Sequence, residues 1–293
     1  MAKAFERPLR IGTRGSPLAL AQARLAADAL RAAHGWDEEA IEIVPITTSG
    51  DMIQDRPLAE VGGKALWTRE LDACLLDGRT DMSVHSMKDV ETIRPAALVI
   101  AALLERADPR DRLIGADSID ALAQGARIGT SSPRRTAQLL SRRPDLRAMP
   151  IRGNVQTRLA RVASGAFDAT LLAAAGLDRL GIDAGVPLDL LPAPAQGAIG
   201  VEILAGRDRL RDLLDAIDHR PTREAVEAER AFLAALGGDC HSAVAALAAG
   251  ALVRAEILSA DGREVQAGEG EPDDLARRLL AAASPGLRAM FGR

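Results

Sequence analysis

The chain has no tyrosine, and aromatic residues make up only 2% of its 293 residues. Its cores must therefore be built from Ala, Leu, Ile and Val, and the exposed rings of a stacking platform for single-stranded nucleic acid are wanting. Lysine is almost as scarce, with three (Lys3, Lys64 and Lys88) against 34 arginines. Cysteine occurs twice, at Cys74 and Cys240, too few for a disulfide framework. No structural bridge between them is expected in a reducing compartment. No apolar run is long enough to span a bilayer, and the opening MAKAFERPLRIG places charges where a secretory signal needs an apolar stretch. A cytoplasmic protein without membrane contact is the expectation. The histidines, His34, His85, His219 and His241, are dispersed without ligand spacing, so no metal site is expected.

Against those absences stand 47% hydrophobic and 27% charged residues, the balance of a globular protein. The length exceeds what one core usually supports, which predicts two or three compact units. Net charge is −4, but its distribution is uneven: from Arg127 to Arg161 nine arginines accompany a single acid, Asp145. That segment is expected to meet anions.

Short β-type runs alternate with helical patterns from LRIGT to DMSVHSM, and again from RIGTSS to ATLLAAAG. Such alternation predicts two α/β units with largely parallel sheets. The strand AIGVEIL is expected to return to the first sheet, making the crossovers near residues 104 and 198 a two-stranded hinge. The expected division is 1–103 with 199–218, then 104–198, then a small α+β module over 219–293 with a long helix, a strand pair and a final helix. The loop Ser49 to Gly63 reads equally as a mobile lid or as a surface connection.

In open α/β sheets ligands bind beyond the carboxyl ends of the strands. After the first strand come Arg14 and Ser16, the latter placed to cap a helix that begins with Pro17. After DMSV come Ser86, Lys88 and Asp89; an isolated Lys–Asp pair reads as a solvent-exposed ion pair, yet lysine at 64 and 88 breaks a strong bias toward arginine. Thr130, Ser131 and Ser132 precede a helix with Arg134 and Arg135 in its first turn. Cations are unfavourable at that end of a helix, so a bound anion is expected there. Arg152 and Arg158 follow the next strand. Cys74 lies in a helical pattern and reads as a buried small hydrophobe, and Trp36 and Trp67 read as packing residues. Cys240, in LGGDCHSA, adjoins His241, an arrangement poorly suited to a Cys–His hydrolase.

Taken together, TRGSPLALAQA, GDMIQDRPLAEVGGKALWTREL, VHSMKDV, GTSSPRR, IRGNVQTRL, PAPAQGA and the cysteine loop resemble the porphobilinogen deaminases, also called hydroxymethylbilane synthases, in order from residue 10 to about 245. The resemblance implies two periplasmic-binding-protein-like α/β domains with a small α+β C-terminal domain, in a monomer. It implies a transferase that condenses four porphobilinogen molecules head to tail, releasing ammonia. It also implies a dipyrromethane cofactor in thioether linkage to the residue matching Cys240.

By that matching, Arg14, Arg134, Arg135, Arg152 and Arg158 bind the acetate and propionate groups of cofactor and substrate. Ser16, Ser86, Lys88, Thr130, Ser131 and Ser132 add hydrogen bonds, Lys64 closes the site, Gln196 lies in the hinge motif, and Asp89 is the catalytic carboxylate. Asp239 before the cysteine, Pro133, Trp67 and the missing proline after VHSMKDVE depart from the family pattern. A non-catalytic two-lobed binder of a small acidic ligand is the competing reading, with nucleic-acid binding a distant third.

Overall fold

The computed structural model describes residues 7–48, 65–238 and 242–291. The chain begins with β1 (Leu9–Arg14), α1 (Pro17–His34), β2 (Ile41–Ile46), α2 (Ala65–Leu76), β3 (Met82–Ser86) and β4 (Leu98–Leu103). Then come β5 (Asp111–Ile114), β6 (Arg127–Gly129), α3 (Pro133–Arg142), β7 (Arg147–Met149), α4 (Val155–Ala163), β8 (Ala169–Ala173), α5 (Ala174–Arg179) and β9 (Val186–Pro187). The remainder is β10 (Ile199–Leu204), α6 (Asp208–Asp215), α7 (Arg220–Ala235), β11 (Ala243–Ala249), β12 (Leu252–Leu258), β13 (Val265–Gly270), α8 (Pro272–Ala282) and α9 (Pro285–Arg288). Two compact units emerge: Met1–Ala107 with Ala198–Arg223, and Asp108–Gly197 with Glu224–Arg293.

In the first unit the sheet order is β2-β1-β3-β10-β4. β1 runs parallel to β2 and β3, while β10 is antiparallel to β3 and β4. The run AIGVEIL therefore does join the first sheet. Pro45 interrupts β2 without harm because β2 is an edge strand, where a missing N–H faces no partner. α1 is anchored as its pattern predicts: Ser16 accepts a hydrogen bond from Ala19 N at 3.3 Å and Pro17 occupies the first turn. Its buried face is Ala23, Ala26, Ala27 and Leu30, small side chains that bring the helix close to Ile11, Met82, Val84 and Val201. Each fully buried Leu, Ile, Val or Met side chain of this cluster contributes roughly 1.5–3 kcal/mol.

The α/β part of the second unit repeats the layout, with order β7-β6-β8-β5-β9. β6 is parallel to β7 and β8, and β5 is antiparallel to β8 and β9. The same unit carries the antiparallel sheet β11-β12-β13. VAALAAGALVRAEIL, which reads as one strand, is two, because the chain reverses at Gly250 in the left-handed region, φ 63°. Val253, Ala255 and Ile257 pack with Phe232, Leu275 and Leu279 on one face. Ala243 and Leu258 meet Ala137 of α3.

No helix of the described residues is long and apolar enough to cross a membrane.

Candidate active site

In the first unit the carboxyl ends of β1 and β3 open onto a pocket lined by Arg14, Ser16, Gln22, Thr68, Ser86 and Asp89, among others. Four of the residues expected from sequence thus surround one cavity. Arg14 ends β1, Ser16 caps α1, and Ser86 ends β3. Lys88 and Asp89, both half-buried, sit on the short 3-10 turn Met87–Asp89. That turn is seated by its first residue: Met87 is buried, its N–H donates to Ala198 O at 3.1 Å, and its side chain lies against Gly200 of β10. Gln22, a residue the sequence reading passed over, is buried on α1 with its amide against the Ser86 hydroxyl, Nε2 at 2.8 Å and Oε1 at 3.0 Å. Its polarity in an otherwise apolar helix face was the available signal.

In the second unit the equivalent strand end, after β6, carries the hydroxyls and arginines. Ser132 caps α3 by accepting from Arg135 N, with Pro133 in the first turn. Ser132 N donates to Thr130 Oγ1 at 3.2 Å. The Ser131 hydroxyl donates to Ile151 O at 2.8 Å and accepts from Ile151 N, which ties this loop to the one presenting Arg152. Arg152 and Arg158 are half-buried, and Arg158 Nε donates to Gly153 O at 3.0 Å.

Arg134 and Arg135 are 4% and 6% exposed, and the anion facing them is the chain's own Asp111, fully buried at the head of β5. Arg134 Nη1 and Arg135 Nη2 each reach an Asp111 oxygen at 2.8 Å, and Arg135 Nε adds a third contact at 3.2 Å. Gln196 Nε2 completes the set at 2.8 Å from Asp111 Oδ1. Burial works against the Asp111 carboxylate, but the two guanidiniums hold its pKa well below the usual range. Burial also lowers the Arg134 pKa, against the pull of Asp111. Two desolvated cations share one anion, and Arg134 Nε is buried without a hydrogen-bond partner among the described residues. Arg134 Nη1 also donates to Gln138 Oε1 and Leu191 O, Arg135 Nη1 to Leu171 O, and Glu256 adds a more distant attraction on Arg134; two guanidiniums on one carboxylate still leave the local charge positive, the sign that suits a carboxylate-bearing group.

Asp111 was not singled out from sequence, because within DPRD nothing distinguishes it from Asp108, which pairs locally with Arg110. Arg179 was likewise missed: its Nη2 donates to Gly197 O at 2.6 Å, and burial brings its pKa down to about 10. Cys74 is buried as expected. Lys64, the loop Ser49 to Gly63, and Cys240 with its neighbours Asp239 and His241 lie outside the described residues.

Residues 9–212 match the family described as porphobilinogen deaminase, dipyromethane cofactor binding domain. The chain is 58% identical to a porphobilinogen deaminase of Sphingopyxis alaskensis over 98% of its length and 97% of the relative. It is 51% identical to one of Paracoccus denitrificans over 90% of its length and 88% of the relative. Among solved structures, the methionine binding protein MetQ aligns with 74% of this chain and 92% of its own at 10% identity, with a TM-score of 0.47. The near-complete coverage at these identities, over a span containing both strand-end clusters, means that the chain belongs to the porphobilinogen deaminase family.

Proposed function

We propose that the protein is a transferase that joins four porphobilinogen molecules head to tail, with loss of ammonia at each addition, and releases the linear product hydroxymethylbilane for tetrapyrrole biosynthesis. The observation that carries this reading is the buried Arg134–Arg135 pair sharing one carboxylate. Each pyrrole brings an acetate and a propionate, and planar guanidiniums bind both oxygens of such groups.

The dipyrromethane cofactor, when bound through a thioether to Cys240, supplies the primer on which the product grows. Arg134, Arg135, Arg152 and Arg158 would hold carboxylates of cofactor and substrate, with Thr130, Ser131 and Ser132 adding hydroxyls and Gln196 keeping Asp111 in place. Arg14 would bind carboxylates as well, Ser16, Ser86 and Lys88 would add hydrogen bonds, and Lys64 would close the site. Asp89 stabilises the positive charge that develops as ammonia leaves and manages the associated protons. The domains are 1–103 with 199–218, 104–198 and 219–293, and the enzyme works in the cytoplasm as a monomer without a metal, a membrane or a nucleic acid.

Intact-protein mass spectrometry tests the assignment. The purified enzyme should carry a dipyrromethane-sized adduct that maps to Cys240, and Cys240→Ser should carry none and lack turnover. A fully active Cys240→Ser enzyme would remove the anchor.

A further inference from the structure

Adjoining the first unit's pocket, which His85 lines, is a set of charges with no part in the assignments above. Glu202, on β10, is fully buried and accepts from three nitrogens. His85 Nε2 stands 3.0 Å from Oε2, and Arg94 Nε and Nη2 lie 2.8 and 2.9 Å from Oε1 and Oε2. The Arg94 side chain is only 8% exposed, yet it serves two further carboxylates: Asp72 on α2 at 2.5 Å and Glu91 at 2.8 Å. Glu91 in turn accepts from Thr68 Oγ1, at 2.8 Å to Oε1, and Thr68 lines the pocket. Neither Arg94 nor Glu202 lines it.

The arrangement closes a loop. β3 ends at Ser86, whose register partner on β10 is Ile199. Met87 is held by Ala198, just before that strand, and by Gly200 within it, and Arg94 returns to Glu202 of the same strand. Lys88 and Asp89 lie between the two attachments. A three-carboxylate grip on one guanidinium is far more than a surface pair supplies, since the planar fork fixes direction as well as distance. A buried charge so fully matched restricts the backbone that carries it.

We infer that Arg94 is a positioning residue: by tying Glu91 to Glu202 and Asp72, it fixes the segment that aims the Asp89 carboxylate into the pocket. The inference rests on the assignment of Asp89 to the chemical step.

The test uses cofactor-loaded enzyme, with loading checked by intact mass and assays run well below each variant's melting temperature. Arg94→Met is expected to lower kcat about tenfold or more while KM stays within about threefold. Arg94→Lys, which keeps the charge but not the fork, recovers part of the loss. In an Asp89→Asn background, Arg94→Met should cost less than about twofold more, because residues acting through one another are not additive. Wild-type kcat in Arg94→Met, or the same fractional loss on both backgrounds, overturns the inference. If Arg94→Met does not fold, Glu91→Gln and Arg94→Lys take its place on both backgrounds, and wild-type kcat in both defeats the idea. Wild-type turnover in Asp89→Asn alone is a separate outcome: it overturns the Asp89 assignment, and the inference with it.

Discussion

Met87 packs directly over Gly200, so closely that a methyl group on the glycine would overlap the methionine sulfur. The contact joins β10, drawn from late in the chain, to the 3-10 turn that presents Lys88 and Asp89. Replacing Gly200 with Ala must push Met87 out of its seat. The expected result is a stability loss of about 1–3 kcal/mol from overpacking, together with reduced kcat, read from urea unfolding and initial rates. A Gly200→Ala enzyme with unchanged kcat would show that the turn tolerates displacement.

Asp89→Ala should fold, keep its cofactor adduct and lose most turnover. The side chain is half-buried at a pocket wall. Melting temperature, intact mass and single-turnover rate separate these effects. Rates near wild type would end the case for this carboxylate.

Asp111→Ala is a different kind of change. It leaves Arg134 and Arg135 as buried cations without their shared anion, and breaking such a pair from one side costs about 3–5 kcal/mol. Denaturant titration should show that loss even in protein without cofactor. A stability change below about 1 kcal/mol would mean that the arginines rearrange toward water.

Glu202 provides a pH signature. Burial opposes its ionisation, but hydrogen bonds from His85 and Arg94 prevail and bring its pKa from 4.5 down to about 2. A depressed folded-state pKa stabilises the protein above the unfolded value, and the contribution disappears as pH falls through the folded one. The linkage is worth about 3 kcal/mol. The stability gap between wild type and Glu202→Gln should thus be full above pH 4.5 and shrink toward pH 2, measured by urea unfolding at each pH. A gap independent of pH across that window would contradict the pairing with His85 and Arg94.

How much of the site was legible follows residue by residue. Ser16 reads as a cap with proline in the first turn and is one, because capping depends on neighbours within one turn; Ser132, one of three hydroxyl residues before the next helix, caps it in the same way. Arg134 and Arg135 read as binders of a bound anion from their unfavourable place at a helix start, and the anion they face in the fold is the chain's own Asp111. Which anion could not be read, since Asp111 lies some two dozen positions away and meets them only because β5 stands beside β8 in the sheet. Gln22 offered only its polarity in an apolar helix face and Arg94 offered nothing, because their partners Ser86 and Glu202 are remote in sequence.

Sequence alone determined the family, the alternation of strand and helix, the helix starts and the concentration of arginine, all of which are written in local spacing or in matched motifs. Tertiary structure decided which charges share a buried partner: Asp111 between two arginines, Glu202 between His85 and Arg94, and Met87 on Gly200. The physical reason is that periodicity and capping act over a few residues of one chain segment. The energy of a desolvated ion pair depends instead on which strands become neighbours, and only the folded sheet order sets that.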